Sequence, residues 1–180
     1  MKRIEVIIGG VGGQGCAIGG NFLAKAAAIH EGRESLMASS YGSEARGTFT
    51  KSEVIISDSA IAFPHALDPD FVFALDPISY EKYVDGLKPG KTLIYDSDTV
   101  TRRHSQAEQK GFSLSGAAVR AGNIASINIV ALGILIKMTG IIRRESLEKV
   151  LAEQFGGKEK ILDINLKALE LGIEMAEGAE

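Results

Sequence analysis

The sequence predicts a three-layer, Rossmann-like α/β domain with a mostly parallel sheet and a helical C-terminal third. Three observations carry that expectation. Short β-branched runs alternate with helix-forming segments up to residue 98, the first run passes through a glycine-dense turn straight into a helix, and the last third reads as helix throughout. At 180 residues and 45% hydrophobic composition, the chain can bury one sizeable core and is short for two, so one domain over residues 1–180 is expected.

Residues 4–8 are short and β-branched, as a buried strand should be, and the glycines after them are expected to end it. A helix follows, with Ile18, Phe22, Ala26 and Ile29 at three- and four-residue spacing and Gly32 as its breaker. A second strand is expected around residues 35–39. The segment YGSEARG then reads as loop, and TFTKSEVIIS returns to strand. DFVFALD is a third apolar run, closed by Asp76 and Pro77, and PISYEKYVDGL opens a helix with proline in its first turn. KTLIYDSD is a further strand. Asn123 is placed to cap a helix that is apolar almost all round, and residues 143–157 and 158–176 form two amphipathic helices. In the last of these Ile161, Ile164, Leu166 and Leu169 mark the apolar face.

Composition excludes several functions. A net charge of -3 without a basic run gives nucleic acid no footprint. Cys16 is the single cysteine, so the chain alone builds neither a disulfide framework nor a cysteine-ligated cluster, and a reducing, cytoplasmic setting is expected. The opening MKRIEV enters a strand at once with no secretory signal, and the longest apolar stretch, residues 124–136, is interrupted by Ser126 and Asn128 and too short to span a bilayer. No membrane association is expected.

The candidate site begins at IIGGVGGQGCAIGG. Gly10, Gly12 and Gly15 satisfy G-x-G-x-x-G between a strand and a helix, where helix N–H groups can meet a phosphate. An NAD site also needs an acid at the far end of the second strand, and that end reads MASSYG. A P-loop needs Lys-Ser/Thr after the glycines, and Gly15 is followed by Cys16-Ala17. A tight turn without ligand stays open. Gln14 could cap the helix or touch a ligand. Arg46, in the serine- and glycine-rich loop after the second strand, suits a phosphate or carboxylate, or is a solvated charge. Asn128, an amide in an apolar helix, must bond neighbouring loops or reach a ligand. Cys16 could be a reactive thiol at a helix N-terminus or packing under the turn. Asp76, Asp96 and Asp98 could bind ribose or metal, or cap helices. His30, His65 and His104 lack metal-ligand spacing.

Taken in order, GVGGQG, SYGSEARG, SEVIIS, DFVFAL, LKPGKTLIYDSD and NIVALG make the chain resemble the gamma subunit of the 2-oxoacid:ferredoxin oxidoreductases over nearly its whole length. One departure is Thr48, where the family loop usually continues Arg-Gly-Gly. The resemblance implies a multisubunit enzyme that decarboxylates a 2-oxoacid to an acyl-coenzyme A and reduces ferredoxin. Thiamine diphosphate and iron-sulfur clusters would lie on alpha, beta or ferredoxin-like delta partners, and this chain would be inactive alone. It further implies coenzyme A contacts at Gly12, Gly13, Gln14 and Gly15, at Ser39 and Ser40, and at Asn128, with Arg46 adding charge or docking a partner. Short length and SYGSEARG favour 2-oxoglutarate over pyruvate. The alternatives are a ligand-free docking subunit of the same complex and a free-standing nucleotide-binding protein.

Overall fold

The computed structural model describes residues 3–41 and 48–178. They form a six-stranded sheet with strands β1 (Arg3–Val11), β2 (Glu34–Tyr41), β3 (Phe49–Ser57), β4 (Phe71–Ala74), β5 (Thr92–Asp96) and β6 (Glu108–Phe112), in the order β2-β3-β1-β4-β5-β6. The ladders β1/β4, β4/β5 and β5/β6 are parallel, whereas β3 runs antiparallel to both β1 and β2. Five strands therefore share one direction and β3 opposes them. Because β2 and β3 form a hairpin and β3 takes the place beside β1, the end of β2 lies two strand spacings from β1, about 10 Å.

The six helices are α1 (Cys16–Lys25), α2 (Pro77–Tyr83), α3 (Leu114–Ala121), α4 (Ile127–Thr139), α5 (Arg144–Phe155) and α6 (Glu159–Glu177). Residues of α1, α3, α4, α5 and α6 share one core with the sheet face bearing Val6, Ile8, Val54 and Ile56. The opposite face, with Ile7, Val72 and Leu93, is covered by α2 through Tyr80 and by Val84 just past its end. The layers are unequal. Helix α4 is buried from Ile127 to Ile136, as its nearly all-apolar sequence requires. It crosses α6 so closely that a Cβ at Gly133 would lie 2.3 Å from the Leu169 carbonyl oxygen, and one at Gly172 would lie 2.2 Å from that of Val130.

Several expectations shift. Strand β1 does not end at residue 8, because its ladder with β3 continues through Gly9↔Lys51, Gly10↔Thr50 and Val11↔Phe49. Helix α1 buries Gly19, Gly20, Phe22 and Leu23, leaving Ile18 exposed, and a π-helical turn (Ala26–His30) follows it with Ile29 exposed. The small residues let the helix lie flat on Ser52 and Val54, which rotates its buried face away from the isoleucines. Likewise α6 buries Asn165, Ala168, Leu169, Gly172 and Ala176, while Ile161 is exposed. Strand β6 (EQKGF) and α3 carry too weak a pattern to be expected: β6 is a polar edge strand, and its ladder comes from β5 alone.

Candidate functional site

The turn joining β1 to α1 is assembled from the protein's own polar groups. Gln14 Oε1 accepts from Val11 N at 2.8 Å, and its Nε2 donates to the Leu75 carbonyl at 2.9 Å, so one amide ties the end of β1 to the end of β4. Gly15 is the residue before α1, with φ 69°, and a side chain there is excluded twice: by the left-handed backbone and by Asn128 Nδ2, which would lie 2.4 Å from its Cβ. Asn128 Nδ2 donates to the Gly15 carbonyl at 2.8 Å, and Gly19 N donates to the same oxygen at 2.9 Å. Asn128 thus does bond the neighbouring turn. Gly12 and Gly13 form the exposed tip, and nothing comes within 4 Å of where a Gly13 Cβ would be. The first N–H groups of α1 open beside this tip without intrahelical partners.

Two adjoining cavities flank α1 at that end. One, of 200 Å³, is lined by Gly13, Gly15, Ser126, Asn128 and Asn165 among others; the other, of 390 Å³, runs past Asn21, Met37, Ser39 and Gln154. They share Ile18, Phe22 and Phe155, the last two in edge-to-face contact with centroids 6.0 Å apart. Together they form one groove with an apolar ridge. No charged side chain among the described residues lines either part.

The structure therefore brings together Gly13, Gly15, Asn128 and Ser39. Gly12 stands at the turn's exposed tip. Gln14 points inward to Leu75 rather than into the groove. Ser39 and Ser40 are successive strand residues and take opposite sheet faces. Ser39 pairs with Ser52, whose hydroxyl donates to the Cys16 carbonyl at 2.8 Å on the α1 side, so Ser40 lies on the far side. Arg46 lies outside the described residues, between β2 and β3.

The remaining candidates resolve into structural roles. Cys16 is buried, and burial pushes its thiol pKa up, against the reading of an activated thiol. Asp76 caps α2 in a reciprocal pair with Ser79, and Asp96 accepts from Leu114 N at 3.0 Å and Ser115 N at 3.2 Å at the start of α3. Asp98 accepts from Gly116 N at 2.7 Å in the same turn. His65 bonds Glu53 across 2.9 Å. Burial raises the Glu53 carboxyl's pKa, but hydrogen bonds from Lys51 and His65 bring it below its ordinary value. Among the described residues no three His, Cys, Asp or Glu gather as a metal site, and no helix is long and apolar enough to cross a membrane.

Sequence reasoning missed Asn165, Ser126 and Phe155. Asn165 could have been found: it falls four residues from both Ile161 and Leu169, a polar residue on the inner stripe of an amphipathic helix. Ser126 and Phe155 carry no such mark, because their place in the groove depends on how α1, α4 and α5 pack.

Comparison with known proteins follows the same outline. The profile of the family "Pyruvate ferredoxin/flavodoxin oxidoreductase" matches residues 5–175. The 2-oxoglutarate synthase subunit KorC of Methanocaldococcus jannaschii is 36% identical, over 97% of this chain and 94% of that protein. The gamma subunit of a keto/oxoacid ferredoxin oxidoreductase from Geobacter sulfurreducens has a crystal structure similar to this chain with TM-score 0.84 at 35% identity, covering 97% of this chain and 99% of that one. The 2-oxoglutarate:ferredoxin oxidoreductase of Magnetococcus marinus, solved with 2-oxoglutarate, coenzyme A and succinyl-CoA bound, gives TM-score 0.90 at 27% identity, over 99% of this chain and 32% of that one.

Proposed function

The chain belongs to the pyruvate ferredoxin/flavodoxin oxidoreductase family, as a gamma subunit of a 2-oxoacid:ferredoxin oxidoreductase, and from that membership we propose that it supplies a coenzyme A-binding wall to a shared active site. The observation that carries this reading is the groove beside the α1 N-terminus. There Gly13, Gly15 and Asn128 meet unpaired helix amides, next to an apolar ridge of Ile18, Phe22 and Phe155. Such a lining fits a long ligand with polar and apolar parts. Coenzyme A is one, and the Magnetococcus relative was solved with it bound.

In this reading the complete enzyme decarboxylates 2-oxoglutarate oxidatively, forms its acyl-coenzyme A and reduces ferredoxin. The KorC relative favours 2-oxoglutarate. Thiamine diphosphate and the iron-sulfur clusters sit on alpha, beta and ferredoxin-like partners, in keeping with a chain whose single cysteine is buried under its own turn. The complex works in the cytoplasm. Gly12, Gly13 and Gly15 present backbone to the ligand, Gln14 holds their turn, and Ser39, Asn128 and Arg46 complete the surface.

Docking through the same face is favoured by Ile18, 54% exposed at the groove's edge. Asn128→Ala in the assembled complex separates the roles. Coenzyme A binding requires its KM to rise about tenfold while the KM for the 2-oxoacid stays fixed, the loss expected of one buried hydrogen bond and the turn it orders. Weakened assembly, with the KM for coenzyme A unchanged in the complex that still forms, would assign the groove to docking alone.

A further inference from the structure

The part of coenzyme A that meets the glycine turn is settled by which polar atoms the protein leaves unpaired. Three side chains lining the 200 Å³ cavity are almost wholly buried: Ser126 at 3% exposure, Asn128 at 4% and Asn165 at 7%. Asn128 donates its nitrogen to Gly15 O and Asn165 donates its own to Ile161 O, each at 2.8 Å. That leaves the Oδ1 acceptor of both amides, and the Ser126 hydroxyl, without a hydrogen-bond partner among the described residues. None of the three is among the sealed polar atoms that lack a hydrogen bond among the described residues, so they open onto the cavity.

Two carbonyl-type oxygens and a hydroxyl, with no cation lining the cavity among the described residues, make a poor seat for phosphate. Each Oδ1 would face anionic oxygens, a repulsion that only the first N–H groups of α1 at one edge could offset, and a buried acceptor left unmatched costs binding. The same oxygens suit N–H donors on a neutral ligand. Coenzyme A carries N–H donors in its adenine amino group and in its pantetheine arm, and only the arm sets two amide N–H groups apart along a chain, so that one can reach each Oδ1 while a hydroxyl and methylene spacers lie against Ser126, Phe22, Phe155 and Ile161.

Resting on the coenzyme A reading, we propose that this cavity holds the pantetheine arm, with Asn165, Asn128 and Ser126 as its specificity-determining residues, and that the phosphates lie outside it. The arm's N–H groups donate to Asn128 Oδ1 and Asn165 Oδ1. Its own carbonyls accept from the first N–H groups of α1.

The sign of the effect at residue 165 tests this in the assembled complex, with coenzyme A and 2-oxoacid KM values measured separately. Asn165→Leu removes the acceptor and should raise the KM for coenzyme A about tenfold, the worth of one buried hydrogen bond. Asn165→Asp keeps an acceptor and should raise it less. Ser126→Ala, a smaller change that keeps the helix start, should raise it about threefold if its hydroxyl pairs with the ligand. The 2-oxoacid KM should stay fixed in all three. If Asn165→Asp is the more damaging substitution, phosphate occupies the cavity and the assignment is wrong, while the coenzyme A reading survives. If all three variants assemble with an unchanged KM for coenzyme A, the cavity assignment falls; should Asn128→Ala also leave it unchanged, the coenzyme A reading falls with it.

Discussion

Because both ends of the Gln14 amide are used inside the protein, its removal should act on stability before it acts on any ligand. Gln14→Ala leaves Val11 N and the Leu75 carbonyl without their partner and should destabilise the chain by about 1–3 kcal/mol, several degrees in Tm. A thermal melt within one degree of wild type would contradict that role. Tyr83 gives a second handle: burial first, then the charges of Glu53 and Cys16, push its phenol up to about 12 from 10.0. Since the fold favours the protonated phenol, this contribution to stability is complete below pH 10 and is lost as pH rises towards 12. Absorbance titration should show a late tyrosine phase that Tyr83→Phe abolishes; a trace identical in the variant would refute the assignment. At this scale the sequence was informative about residue type and less so about direction. It marked Gln14, Asn128 and Ser39 as polar groups near the turn, but not that Gln14 faces inward or that Ser40 takes the far side of β2, since both depend on register.

Among the elements, the contact between α4 and α6 depends on two missing side chains. A methyl at Gly172 would meet the Val130 carbonyl oxygen, backbone that no rotamer change can move. Gly172→Ala should therefore lower stability by about 1–3 kcal/mol despite alanine's better helix propensity. Chemical denaturation measures it, and a stabilised variant would show that the helices separate freely. The strands and helices with strong periodicity were legible in the sequence: the strand-turn-helix at the N-terminus, the proline-opened α2 and the three C-terminal helices. What was hidden is instructive. Strand β6 has no β-branched residue and exists because β5 offers it a ladder, and α3 is started by Asp96 and Asp98 from another part of the chain. The reversed β3 was hidden too, because hydrophobic pattern reports burial and not strand direction.

For the whole molecule, the unequal layers matter most. One sheet face is covered by five helices and the other by α2, and the groove opens at the end of the sheet where β1 meets α1. The hairpin that places β3 beside β1 also carries the end of β2 away from the turn, which removes the position where a dinucleotide site would hold its ribose. What the described residues leave at the turn is a neutral groove of backbone amides, asparagines and aromatic rings, and the proposed coenzyme A contact rests on it. The structure of the assembled oxidoreductase with coenzyme A bound tests this most directly. The account predicts the ligand against Gly13, Gly15 and Asn128 with its amide arm towards Asn165; coenzyme A held wholly by the partner subunits, remote from this groove, would contradict it.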